Sequence, residues 1–143
     1  MKNSAGILLY RSNLEVLLGH PGGPFYANKD TWVIPKGEIE PSEDPFECAK
    51  RELFEESGIV TTNKPFFLGT FKQSNMKTIH IWAVNQDYDI SKFCINTIPI
   101  IYKDKEIMIP ELDQINWFNI KEAKVKVLSS QKQVLEKLED VLR

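Results

Sequence analysis

Up to Pro41 the apolar positions fall in short blocks and alternations, the spacing of strands; from Pro41 to Ser57 they recur at helical intervals, and beyond that both spacings return. Ser4 to Tyr10 is an apolar run with small residues and predicts a central strand. Leu14 to Leu18 predicts a second, and the polar Arg11-Ser12-Asn13 a tight turn that makes the pair a hairpin. His20-Pro21-Gly22-Gly23-Pro24-Phe25 is punctuated by prolines and glycines and predicts a loop that continues to Asp30. Trp32-Val33-Ile34 predicts a short strand stopped by Pro35, after which Lys36-Gly37-Glu38 turns the chain.

Pro41 to Ser57 carries the strongest helix signal. Ser42 or Asp44 is the candidate cap, and Glu43 and Asp44 suit the positive end of the helix dipole. Pro45 fits the first turn, where its missing N–H costs nothing. Phe46, Cys48, Ala49 and Leu53 form the apolar stripe, and Gly58 supplies a left-handed cap. Phe66–Lys72 and Thr78–Val84 predict two strands around Gln73-Ser74-Asn75. Cys94–Tyr102 reads as a strand or a surface loop, and Asn116–Phe118 as a last short strand. Ile120–Val127 and Ser130–Leu142 predict helices, the second with Val134, Leu135, Leu138, Val141 and Leu142 on one face. These elements predict an α/β fold, a sheet covered by helices on both faces.

The length, 143 residues, predicts a single domain spanning 1–143. A 42% hydrophobic and 27% charged composition excludes a disordered chain. The net charge of −2 argues against non-specific grip on nucleic acid but leaves room for a small polyphosphate. No apolar run approaches the roughly 20 residues of a membrane-spanning helix, and no signal-peptide pattern follows the start, so a cytoplasmic protein is expected. Cys48 (in a helix) and Cys94 (in a strand) have no ligand spacing and predict two free thiols.

Chemistry concentrates on the acidic helix. Glu52 and Glu56 are four apart and stack on one helical face, and Glu55 shares that side. Carboxylates so close repel one another, and the helix C-terminus favours cations instead. Cations would neutralise such a cluster, and hard oxygen ligands suit Mg²⁺ or Mn²⁺. Arg51 stands beside the cluster to orient a carboxylate. Glu43 lies one stretch earlier on the helix, and Gly37 can bring a backbone carbonyl close.

Gly37, Glu43, Arg51, Glu52, Leu53, Glu55, Glu56, Gly58 and Ile59 resemble the signature of the Nudix hydrolases at every specified position. Chance would place that pattern in a chain of this length about once in 10⁷ trials, from average residue frequencies. The resemblance implies an α/β/α sandwich with a mixed sheet and a loop–helix–loop signature. It also implies divalent-metal-dependent hydrolysis of a pyrophosphate bond, by water attack on phosphorus. By the same resemblance Glu52 and Glu56 are the main metal ligands, Glu55 a ligand or base, Gly37 a carbonyl contact to metal, and Arg51 the residue that orients a carboxylate. Glu111, in a loop before the last strand, is the candidate base from outside the signature; an ordinary solvated glutamate is the alternative. The segments 4–10, 20–25 and 32–37 are further similar to small bacterial Nudix proteins labelled predicted nucleoside-triphosphate pyrophosphohydrolases, related to diadenosine tetraphosphate hydrolases. Val33 departs from the small polar residue found there in that branch.

Candidate substrate contacts are Lys36 for a phosphate, His20 in its rigid loop, His80 on a strand, and Trp32 among aromatics that can stack on a base. The expected substrate is a small nucleotide, a dinucleoside polyphosphate or a nucleoside triphosphate. The alternatives are removal of pyrophosphate from the 5′ end of RNA and a non-catalytic nucleotide-binding module. Neither membrane nor nucleic acid is expected as a partner, and oligomeric state is left open.

Overall fold

Strand β1 (Lys2–Arg11) runs through the middle of a mixed sheet and is buried from Ala5 to Leu9. The structure is a computed structural model that describes residues 2–143; Met1, inside the predicted domain bounds, lies outside them. A strand covered on both faces reads as a continuous apolar run, which is how Ser4–Tyr10 reads. Alternate side chains enter different cores. Ala5, Ile7 and Leu9 pack with Cys48, Ala49 and Leu53 of helix α1 (Pro45–Ser57). Leu8 packs on the other face with Ala123 of α2 (Ile120–Lys126) and with Val134, Leu135 and Leu138 of α3 (Lys132–Val141).

The other strands are β2 (Glu15–Pro21), β3 (Lys36–Glu38), β4 (Pro65–Ser74), β5 (Lys77–Asn85), β6 (Thr97–Tyr102), β7 (Lys105–Pro110) and β8 (Leu112–Asn119). The main sheet runs β4-β5-β1-β2-β8, with β3 added on β1. β1 and β5 are parallel and the remaining pairs antiparallel. Helices on both faces of this mixed sheet give the expected α/β/α sandwich.

Several local expectations change. Trp32-Val33-Ile34 is not a strand: Val33 bridges Gly19 and Trp32 bridges Val127, so neighbouring residues serve different partners. Lys36-Gly37-Glu38, expected to turn, is strand β3, paired with Ser4, Ala5 and Gly6. Gly6 permits this, because a Cβ there would meet the Pro35 carbonyl oxygen at 2.5 Å. The edge of β1 is thereby divided. Tyr10 and Arg11 pair with β2, and Ser4–Gly6 with β3.

Helix α1 begins at Pro45, not Pro41, because Ser42 adopts a left-handed φ of 65° and Asp44 is the cap. The loop expected around Met108-Ile109-Pro110 is strand β7, which forms a separate two-stranded sheet with β6. Pro99, Pro110 and largely exposed faces weaken that signal in the sequence. The last strand is longer than Asn116–Phe118, starting at Leu112. Cys94 lies before β6 rather than in a strand; it is exposed, Cys48 is buried, and both thiols are free. No helix among the described residues is long and apolar enough to cross a membrane.

Candidate active site

Helix α1 is set at both ends by local chemistry. The Asp44 carboxylate accepts from the Phe46 and Glu47 N–H groups, both at 3.1 Å, satisfying donors the first turn leaves free. At the other end Gly58 takes φ 83°, and its N–H donates to the Phe54 carbonyl at 2.8 Å. Leu53 faces the core, so Glu56, three positions on, and Glu52 fall on the flank of the buried face, while Arg51 and Glu55 fall on the outer side.

Arg51 is the hub. Its Nε donates to Glu43 Oε2 at 2.8 Å and an Nη to Glu43 Oε1 at 3.0 Å, a two-point grip. The other Nη donates to Glu52 Oε1 at 2.9 Å and to both Glu55 oxygens at 3.2 and 3.3 Å. The hydrogen bonds from Arg51 hold the Glu43 carboxyl down at about 2, and these carboxylates hold the Arg51 guanidinium above its ordinary value. Arg51 therefore restrains three acidic side chains, one of which, Glu52, points into the cluster.

Glu52, Glu56 and Glu111 each offer a carboxylate oxygen, and these oxygens lie within 4.8 Å of one another. Glu111 reaches the helix from the junction of β7 and β8. Its N–H donates to the Asn96 carbonyl at 2.9 Å, and Asn96 Nδ2 donates to Glu111 Oε1 at 3.1 Å. Burial, followed by the charges of Glu111 and Glu52, pushes the Glu56 carboxyl up to about 9. Burial likewise raises Glu52 and Glu111. Glu56 is 6% exposed, and its Oε2 is buried without a hydrogen-bond partner among the described residues. A buried orphan oxygen among hard oxygen donors fits a divalent cation.

A cavity of about 250 Å³ opens beside the cluster. Lys36, Glu56 and Glu111 stand on its wall with Ile34, Gln73 and Gln131. Burial lowers the Lys36 ammonium from its ordinary value, while Glu56 and Glu52 act the other way.

The structure brings together Glu52, Glu56, Glu111 and Lys36 of the residues singled out from sequence. Glu55 sits outside the triple, 44% exposed and held by Arg51. The Gly37 carbonyl accepts from Cys48 Sγ at 3.6 Å. His20 is placed in the core rather than on the cavity wall. Its ring nitrogens meet Asp113 Oδ1 at 2.8 Å and the Lys29 carbonyl at 2.7 Å, and its ring stands edge-on to Trp32. Trp32 is buried against Phe118, and its Nε1 donates to Asp30. His80 faces a different hollow, with Lys2, Asn3 and Glu38, and contacts Thr70 Oγ1 at 2.9 Å. Gln73 and Gln131 were not among the sequence candidates. Nothing in a polar turn or a helix start announces that an amide will be buried.

Residues 1–138 match the NUDIX domain family. The chain belongs to this family. Over 137 residues it is 32% identical to diphosphoinositol polyphosphate phosphohydrolase 3-beta of Bos taurus, covering 93% of this chain and 73% of that protein. It is 37% identical to an RNA pyrophosphohydrolase of Bradyrhizobium over 65 residues, 44% of this chain and 39% of that protein. Among solved structures, a C. elegans Ap4A hydrolase matches with a TM-score of 0.66 at 21% identity over 97% of both chains. The NUDIX domain of Shewanella oneidensis NrtR, solved with ADP ribose, matches with a TM-score of 0.71 at 16% identity, covering 99% of this chain and 88% of that one. These two structures share the Nudix fold with this chain. The family and the clustered carboxylates together make this Nudix chain a pyrophosphohydrolase.

Proposed function

We propose that this Nudix chain hydrolyses a pyrophosphate bond of a soluble nucleoside polyphosphate, a dinucleoside polyphosphate or a nucleoside triphosphate, with Mg²⁺ as its ion. The observation that carries this reading is the meeting of Glu52, Glu56 and Glu111 at the wall of a small, largely apolar cavity. A phosphate chain fits beside the carboxylates, and an uncharged group fits the cavity. Glu52, Glu56 and Glu111 would hold the ion. When bound there, a divalent ion lowers the pKa of an attacking water and stabilises charge on phosphate oxygens. Arg51 fixes the Glu52 carboxylate, and Lys36 meets a phosphate oxygen as a point charge. Glu55, outside the triple and open to solvent, accepts the proton from the attacking water.

The names of the relatives point to two other phosphate substrates, diphosphoinositol polyphosphates and RNA. A phosphate-release assay with Mg²⁺ compares nucleoside triphosphates, dinucleoside polyphosphates, nucleotide sugars, 5′-triphosphorylated RNA and diphosphoinositol polyphosphates. Turnover strongest on a soluble nucleotide supports the reading. Turnover confined to RNA or to inositol phosphates overturns it.

A further inference from the structure

We propose that Asn96 is a positioning residue that sets the Glu111 carboxylate into the acidic cluster. This rests on the reading above that Glu111 helps to hold a divalent ion, and it names what aims Glu111 at that ion.

Glu111 comes from a part of the chain remote from helix α1, so its carboxylate needs a support that α1 does not supply. A glutamate side chain is long and rich in rotamers, and holding it in one of them costs entropy. Glu52 is held by a neighbouring cation, Arg51. Among the described residues the ion pairs of Arg51 reach Glu40, Glu43, Glu52 and Glu55 and do not extend to Glu111. Instead Glu111 Oε1 accepts from Asn96 Nδ2 at 3.1 Å. An ionised carboxylate only accepts, so the nitrogen end of the Asn96 amide must face it. The Asn96 carbonyl also accepts from the Glu111 N–H at 2.9 Å, one step beyond the last β6–β7 pair, Thr97 with Pro110. One residue therefore grips both the backbone and the side chain of Glu111.

On its other side the Glu111 carbonyl accepts from the Gly22 N–H at 3.1 Å. A Cβ on Gly22 would lie 2.1 Å from the Pro110 carbonyl oxygen, so the bare backbone of Gly22 permits this approach. The Glu111 backbone is thus fixed from both sides, and the direction of its side chain is what the Asn96 amide adds.

Asn96 is in turn tied to the helix that carries Glu52 and Glu56. Two positions before it, the Cys94 N–H donates at 2.9 Å to the carbonyl of Ser57, the residue after Glu56. Gly58 packs against the same point, since a Cβ there would meet Cys94 Cβ at 3.0 Å. The segment from Cys94 to Asn96 is a short strap, anchored beside Glu56 at one end and on the Glu111 carboxylate at the other. It sets the separation of two of the clustered carboxylates. Its donor is a neutral amide, which orients the carboxylate without cancelling the charge that a cation requires.

The test is a cycle of variants read by the binding of Mn²⁺ alone, measured by calorimetry up to millimolar ion. Asn96→Ala removes the amide but keeps the carbonyl that holds the Glu111 N–H. It is expected to weaken Mn²⁺ binding by roughly 10- to 100-fold, the range for residues that orient ligands. In a Glu111→Ala background the same change has no carboxylate to release, so its further effect stays within about twofold. Wild-type affinity in Asn96→Ala overturns the proposal. So does an equal loss with and without Glu111, which is what a general disturbance of the fold would give. Wild-type affinity in Glu111→Ala removes Glu111 from the ion and overturns it as well.

The Mg²⁺ requirement of hydrolysis separates this proposal from the reading beneath it. Asn96→Ala is expected to raise the Mg²⁺ concentration for half-maximal rate by about the factor seen with Mn²⁺, with most of kcat recovered at saturating Mg²⁺. Nucleotide turnover with a wild-type Mg²⁺ requirement in Asn96→Ala sinks the role of Asn96 and leaves the hydrolase reading standing. No turnover of any nucleotide, together with the expected Mn²⁺ cycle, sinks the hydrolase reading and leaves the role of Asn96 standing.

Discussion

Gly37 lies so close to Glu52 that a Cβ on Gly37 would overlap the Glu52 carboxyl group. The glycine at the head of the signature is therefore required by the carboxylate that packs over it. Gly37→Ala is expected to push Glu52 away from Glu56 and Glu111. A displacement near 1 Å costs about a hundredfold in kcat/KM, while stability changes little, because the atoms that must move are the far end of a flexible side chain. Steady-state kinetics and a thermal melt check the two effects separately. Wild-type kcat/KM in this variant would show that the position of Glu52 is not set by Gly37.

Arg51 makes its two-point contact with Glu43 while reaching Glu52 and Glu55. A lysine keeps the charge but not the planar fork, so Arg51→Lys releases at least one of the three carboxylates. Residues that orient ligands typically change metal affinity by roughly 10- to 100-fold when replaced. A Mn²⁺ titration followed by electron paramagnetic resonance is expected to show weakening in that range. Unchanged Mn²⁺ affinity would separate Arg51 from the metal site.

Asp44 acts on the helix alone. Asp44→Ala leaves the Phe46 and Glu47 N–H groups without their acceptor and is expected to cost about 1 kcal/mol. Because Asp44 touches none of the clustered carboxylates, kcat is expected to stay at the wild-type value. Urea denaturation and steady-state kinetics on the same preparation test both halves.

What could be read from the sequence follows from how local each feature is. The helix with its Asp44 cap, its apolar stripe and its Gly58 terminus depends on neighbours within a few positions, and its character is visible directly. Glu111 is singled out in the sequence only through resemblance. Its approach to Glu56 depends on the path of the β6–β7 pair and on Asn96, which no periodicity encodes. His20 has the sequence setting of a substrate contact, but its partner Asp113, 93 positions away, helps hold the ring in the core. Trp32–Ile34 has the composition of a strand, but its neighbours claim it one residue at a time. Lys36–Glu38 has the composition of a turn, yet the bare backbone of Gly6 lets it pair. Close backbone approaches and long-range side-chain partners thus account for the corrected elements around the site.

Glu56 gives the last prediction, on stability against pH. Its carboxyl is raised from an ordinary value of 4.5 to about 9 by burial and by the charges of Glu111 and Glu52. The folded, metal-free protein therefore keeps a proton that the unfolded chain releases. Below about pH 4.5 both states are protonated, and Glu56 imposes no penalty. As pH rises from there toward 9 the unfolded state gains by ionising, so metal-free stability falls across that window. Glu52 and Glu111, raised in the same direction, add to the slope, whereas Lys36, lowered by burial, opposes it at alkaline pH. A divalent ion favours the ionised carboxylates and displaces protons, so its stabilising effect grows over the same range. Melting temperatures taken between pH 5 and 9, in EDTA and in Mg²⁺, are expected to diverge as pH rises. Glu56→Gln carries no titrating proton there, and its EDTA curve is expected to be flatter. Parallel curves for the wild type and the variant in EDTA would mean that Glu56 is ionised in the metal-free fold, and that its orphan oxygen is satisfied by something other than a proton.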